Sequence, residues 1–347
     1  SALIYPPGAF AKTEELIELA RVLAQYDGVY FTHVRNESQG VLEAIEEAIR
    51  IGREAGVAVH IYHLKAAGQE NWPLMDKALA LIEMTREEGM EITADIYPYI
   101  RNGIGLGSFI HPRHYAKGRE AFVATLSDPD VRKKLQYEIE TTSDWENWYH
   151  HVGQNWDNVL ITRVAEDVDP EFVGLSVKGV AEKRGVGVWE AFFDLVQAGR
   201  TGTCPKSMNE EQKKLAMRAP FVCFDNDASP MNPETVASAH PRAFGAFPRV
   251  LAKYVRDEDT IPLEEAIRKL TSLPADILRL SDRGRIAPSM AADLIVFDPH
   301  TVRDTATFTK PLSYSKGIDY VLVNGQVVIE EGRTTSARPG EILRHRP

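Results

Sequence analysis

Two histidines close short apolar runs in this chain: His33 follows Val29-Tyr30-Phe31-Thr32, and His63 ends the run from Val57. Carboxylates close two more runs of the same kind. Asp95 follows Ile92-Thr93-Ala94, and Asp225 and Asp227 follow Phe221-Val222-Cys223-Phe224. Two neutral imidazoles and a carboxylate suit a divalent metal such as zinc with one open coordination position. The carboxylate then suits a general base toward water activated there. Spacing alone leaves the plainer alternative open, since a histidine at a strand end also serves as a hydrogen-bonded structural residue.

Such residues need rigid elements to bring them together. Residues 13–26 have apolar side chains at helical spacing, with Thr13 as the expected N-cap and Glu14 and Glu15 in the first turn. Residues 39–55 and 72–88 form two further helical patterns, closed by Gly56 and Gly89. Strand patterns at 29–34, 57–63 and 90–97 alternate with them. That alternation predicts an α/β fold, a (β/α)8 TIM-type barrel, in which catalytic side chains project from the C-terminal ends of strands.

The rhythm breaks at 108–160, a polar, aromatic and charge-dense stretch that reads as an inserted lobe. A strand at 159–164, helices at 176–184 and 187–198, a strand at 221–225 and helices at 244–256 and 262–272 resume it. From 284 the pattern becomes strands joined by Asn-Gly and other glycine turns, a small β module. The expected division is a barrel portion at 1–283 and a β module at 284–347.

Composition narrows the function classes. The chain has 347 residues with Lys+Arg 40 and Asp+Glu 50, a formal charge of −10 that disfavours nucleic acid or an anionic membrane surface as partner. No apolar run is long enough to span a bilayer. Two cysteines exclude a disulfide framework and predict a cytoplasmic location. There is no leader pattern at the start, where Ser1 to Tyr5 read as a strand run before Pro6-Pro7-Gly8.

Across nearly its whole length the chain resembles the N-acyl-D-amino-acid deacylase (D-aminoacylase) branch of the amidohydrolase superfamily. The matching stretches run in the family's order. They include Leu3-Ile-Tyr-Pro-Pro-Gly8, Thr32-His-Val-Arg-Asn-Glu37, His63-Leu-Lys65, Asp95-Ile-Tyr-Pro-Tyr99, His240-Pro-Arg-Ala-Phe-Gly245 and Ala292-Asp-Leu-Ile-Val-Phe-Asp298. The resemblance implies zinc-dependent hydrolysis of an N-acyl, D-configured amino acid or a related amide. His33 and His63 would be zinc ligands, and Asp227 the acid–base group. Tyr5, Lys65 and Arg242 would bind the substrate carboxylate. The β module would be part of the family's β-sandwich, and the lobe would cover the site.

Asp225-Asn226-Asp227-Ala228 stands where the family has Gly-Ser-Asp-Gly, which favours Asp227 over Asp225 as the acid–base residue and leaves Asp225 to cap the turn. Arg101 stands near a family serine that holds the carboxylate, so a substrate-binding Arg101 would favour a more acidic or larger substrate. The family's His-x-His pair, bridging cysteine and other half-sandwich correspond to positions before Ser1. The resemblance therefore predicts a complementary N-terminal segment or chain, which supplies the remaining ligands for one or two zinc ions. A homo-oligomer stays open. Rival readings are a cyclic-amide hydrolase, an enzyme using Ser1 as an N-terminal nucleophile, and a non-catalytic subunit.

The other polar residues have blander expected roles. Arg35 and Glu37 form pairs that support the site or are purely structural, and His60 is core. His111, His114, His150, His151 and His345 are surface residues, and Cys204 and Cys223 are inert packing. Gly103, Gly105 and Gly107 do not fit a dinucleotide fingerprint and edge a lid.

Overall fold

A computed structural model describes residues 1–5, 7–236 and 238–344; His345 lies outside them. The first third alternates as expected. Helix α1 (Thr13–Ala24), strand β1 (Val29–Thr32), α2 (Val41–Ala55), β2 (Ala58–Ile61), α3 (Leu74–Glu87) and β3 (Ile92–Ile96) follow one another. Gly56 ends α2 in the left-handed conformation, φ 71°, which an L side chain adopts only with strain. Thr13 is not the N-cap. Lys12 holds that position, and the Thr13 hydroxyl donates to Glu47 Oε1 at 2.7 Å, tying α1 to α2 instead.

A second set follows: β4 (Ile104–Gly105), α4 (Arg119–Thr125), α5 (Pro129–Thr141), α6 (Trp148–His151), β5 (Val159–Arg163), α7 (Val177–Arg184), α8 (Val188–Ala198) and β6 (Gly202–Pro205). Then come α9 (Glu210–Arg218), β7 (Val222–Phe224), α10 (Arg242–Arg249) continued by a π-helical stretch (Val250–Asp257), α11 (Leu263–Leu270) and α12 (Ser272–Ile277). The chain ends in β8 (Leu294–Phe297), β9 (Ile318–Val323), β10 (Gln326–Glu330) and β11 (Arg333–Thr334).

Three sheets result. The one that positions the site is parallel, in the order β1-β2-β3-β7. One face carries Val59, Ile61, Ile92, Ala94, Ile96 and Val222, which join the α1, α2 and α3 side chains in the main core. Burying each such side chain contributes roughly 1.5–3 kcal/mol. All five residues of β3 are buried, as a parallel strand covered on both faces requires.

The strand at 159–163 does not extend that sheet. β5 pairs antiparallel with β6, which pairs antiparallel with β4, over a separate core running from Leu106 to Val196. Hydrophobic periodicity identified the strand, but it cannot distinguish a parallel neighbour from an antiparallel one. Trp156 centres this core, 5.5 Å from the Phe109 ring and 4.8 Å from the Phe192 and Tyr149 rings. His151, expected at the surface, is 5% exposed and packs on Trp148.

The C-terminal sheet is a single antiparallel layer in the order β11-β10-β9-β8. Asn324 and Gly325, with φ of 47° and 77°, make the tight turn between β9 and β10. Among the described residues no helix is long and apolar enough to cross a membrane.

Candidate active site

His33 follows directly on β1 and His63 lies two residues past β2, so both imidazoles stand at the same end of the parallel sheet. Their ring centroids are 4.4 Å apart. The His33 backbone is held by the first residues: its N–H donates to Ser1 O at 3.0 Å, and its carbonyl accepts from Leu3 N–H at 3.1 Å. The expected N-terminal strand is thus reduced to one bridge, Ala2 to His33.

Glu37 stands between the two histidines. Its Oε2 lies 3.5 Å from His33 Nε2, and its Oε1 lies 2.9 Å from His63 Nδ1 and 2.5 Å from Lys65 Nζ. Donor atoms of His33, Glu37 and His63 all fall within 4.8 Å of one another. His33 Nε2 is buried without a hydrogen-bond partner among the described residues. Burial brings His33 down to about 3, despite the opposing charge of Glu37, so the ring is neutral at neutral pH. That is the protonation state a metal ligand needs.

Burial alone would raise the Glu37 carboxyl, but His33, Lys65 and His63 beside it hold it well below the usual carboxylate range. Arg35 plays no part here. It pairs with Glu47 at 2.9 Å and donates to the carbonyls of Ala9 and Ala11. Glu146 reaches in from the 104–205 region and accepts the Glu37 backbone N–H. Burial, then the charge on Glu37, pushes its carboxyl up to about 8.

Asp227 follows β7 with φ 39°, nearly the φ of 38° found at His63. Arg242, at the start of α10, places Nη2 2.6 Å from Asp227 Oδ2. The same guanidinium lies 4.5 Å from the centroid of the buried Tyr97 ring, and its Nε and Nη1 have no partner among the described residues. Asp225 does not cap the turn: Asn226 Oδ1 accepts the Ala228 N–H, while Asp225 Oδ1 is buried with no partner among the described residues.

A cavity of about 150 Å³ joins these groups. Six of the seven residues singled out from the sequence line it: Tyr5, His33, His63, Lys65, Asp227 and Arg242. Arg101 is the exception. Its Nη1 donates to the carbonyls of Asn158 and Cys204 at 2.8 and 2.9 Å, which turns the charge toward the second core and away from the cavity. Ser1 is also outside: its hydroxyl meets Tyr30 Oη at 2.7 Å and Thr32 Oγ1 at 2.9 Å.

Tyr97 and Glu146 were not assigned to the site from the sequence, and Glu37 was expected only in a supporting or structural pair. Glu37 carried one usable signal, its spacing four residues after His33 in a polar loop. Glu146 carried none.

Residues 180–329 match the family model described as the amidohydrolase family. Over 344 residues the chain is 32% identical to an N-acyl-D-glutamate deacylase of Alcaligenes xylosoxydans xylosoxydans. Over nearly its whole length the chain is thus similar to members of the amidohydrolase family. A D-aminoacylase of the same organism is 33% identical to the chain over 341 residues. These alignments cover 99% and 98% of the chain but 60% and 59% of the relatives, so the chain spans about three fifths of their length. Among solved structures, the N-acyl-D-glutamate deacylase of Bordetella bronchiseptica, complexed with zinc and a phosphonate inhibitor, is 32% identical with a TM-score of 0.74. That match covers 96% of this chain and 60% of the other.

Proposed function

We propose that this chain is an amidohydrolase that cleaves the amide of an N-acyl, D-configured amino acid, with zinc held by His33 and His63. The observation that carries this reading is the convergence of both imidazoles, Asp227 and Arg242 on one small cavity. The orphaned, buried His33 Nε2 fits a metal ligand, and so does the neutral form of that ring. Bound there, zinc would polarise the scissile carbonyl and make a water more acidic.

The chain's own residues do the rest. Asp227 takes the proton from the attacking water and returns it to the leaving amine, a general base that becomes a general acid. Arg242 holds Asp227 in place through Nη2, and its free Nε and Nη1 meet the substrate carboxylate. Tyr5 closes the cavity beside His33, with ring centroids 5.5 Å apart. Trp148 also lines the cavity and limits access of water. Lys65 is bound to Glu37 and His63, so its share in substrate binding goes through the orientation of His63.

Among the described residues, β1 and β7 border the parallel sheet with no further strand paired beyond the Ala2 bridge. We place the remaining barrel strands and metal ligands there, on polypeptide joined to this chain or separate from it. Both cysteines are buried and free, which suits a reducing, cytoplasmic setting. A cyclic amide would leave the Arg242 donors without an acceptor, which favours the open-chain acid.

Zinc-loaded protein assayed against paired N-acetyl-D- and N-acetyl-L-amino acids tests this reading. Release of the D-amino acid, with cyclic amides untouched, is expected. Turnover of a cyclic amide alone would contradict it.

A further inference from the structure

A second set of metal-competent side chains lies deeper in the parallel sheet. His60, Asp95 and Cys223 come from β2, β3 and β7, and one donor atom of each falls within 4.8 Å of the others. They are 2%, 5% and 4% exposed. Strand register explains the meeting: His60 stands opposite Thr93, and Asp95, two residues on and on the same face, stands opposite Cys223.

The geometry around His60 is that of a held ligand. Nδ1 lies 2.7 Å from Thr93 Oγ1, and Nε2 lies 2.9 Å from Asp95 Oδ2. A metal ion on Nε2 would take the place of the proton shared with Asp95, leaving Nδ1–H to donate to the threonine hydroxyl. Metal-binding histidines are oriented by such a bond on the other ring nitrogen. Asp225 adds an independent observation, because it lies two residues past Cys223 and its buried Oδ1 has no partner among the described residues.

We propose that His60, Asp95 and Cys223 form a thiolate-containing zinc site distinct from the His33–His63 pair. Sulfur, imidazole and carboxylate donors select zinc over magnesium or calcium. All three donors are 5% exposed or less, which leaves no room for substrate and makes the site structural. Binding releases the Cys223 thiol proton to solvent and forms the metal–sulfur bond. Asp95 then serves two purposes, since its Oδ1 accepts the His63 backbone N–H.

Cobalt(II) titration of the metal-free protein tests this without reference to any hydrolytic activity. The chain has two cysteines, so a thiolate-to-cobalt charge-transfer band can arise from Cys223 or Cys204 alone. The band is expected in the wild type, in Cys204→Ser and in His33→Ala, and is expected to vanish in Cys223→Ser. Should Cys223→Ser fail to fold, its survival in Cys204→Ser still assigns the thiolate to Cys223. Cobalt binding with no such band, or a band lost in Cys204→Ser, would overturn the proposal.

Discussion

The Asp95 carboxylate accepts the backbone N–H of His63, a non-glycine residue held at φ 38°. Left-handed backbone at such a residue costs of order 1–3 kcal/mol and persists only where neighbours enforce it. Here the enforcing group is a buried side chain on the adjacent strand, itself bonded to His60. The direction of the His63 imidazole is therefore fixed from β3.

Removing that brace should be felt in stability as well as chemistry. Asp95→Ala leaves the His63 N–H and His60 Nε2 unpaired, and an unfolding free energy lower by about 1–3 kcal/mol is expected. Urea titration measures it. An unchanged midpoint with unchanged slope would show that His63 holds its conformation by other means.

Asp227 and Arg242 should separate in kinetics. Asp227→Asn keeps the shape but loses the proton acceptor, so kcat falls by about 100- to 10,000-fold with KM little altered. Arg242→Met removes the donors meant for the substrate carboxylate, so KM rises; loss of its hold on Asp227 lowers kcat as well. Steady-state assays of both variants distinguish these patterns.

Lys213 gives a pH signature. It is fully buried over the Tyr97 ring, 4.5 Å from the centroid, with Nζ unpartnered among the described residues. Burial, then Lys65, brings its ammonium down to about 7, against 10.5 in the unfolded chain. Between those values the unfolded state binds the extra proton, so this group's contribution to stability is complete above 10.5 and lost as pH falls toward 7. From pH 9.5 to 7.5 the wild type should lose about 2–3 kcal/mol through this group. Lys213→Met should lack that slope and be the more stable protein at pH 7.5. Denaturant unfolding at the two pH values reads both, and parallel pH dependence in the two proteins would count against it.

Arg101 should behave as a structural residue. Arg101→Met removes two bonds to the Asn158 and Cys204 carbonyls, and a stability loss of about 1–3 kcal/mol with unaltered KM is expected. A KM that rises for acidic substrates alone would return Arg101 to the binding site.

Much of the site was legible because strand ends are written locally. A four- or five-residue apolar run places His33, His63 or Asp227 at one end of a parallel sheet before any contact is known. Glu37 was harder, since its role comes from three partners brought in by two different strands. Glu146 was invisible, as its contact spans 109 residues and depends on how the second core docks. Arg101 misled for a related reason: charge near a site suggests binding, yet backbone carbonyls of β6 and the β5 approach had already claimed it. In the fold, element positions held to within a few residues, while the pairing of β5 needed long-range contacts that periodicity does not encode.

Anomalous diffraction at the zinc edge, on crystals of zinc-loaded protein, tests the arrangement of the cavity most directly. A peak about 2.0–2.1 Å from one nitrogen each of His33 and His63 is predicted, on the side facing Asp227. Zinc-loaded crystals with no peak at those two imidazoles would contradict the account.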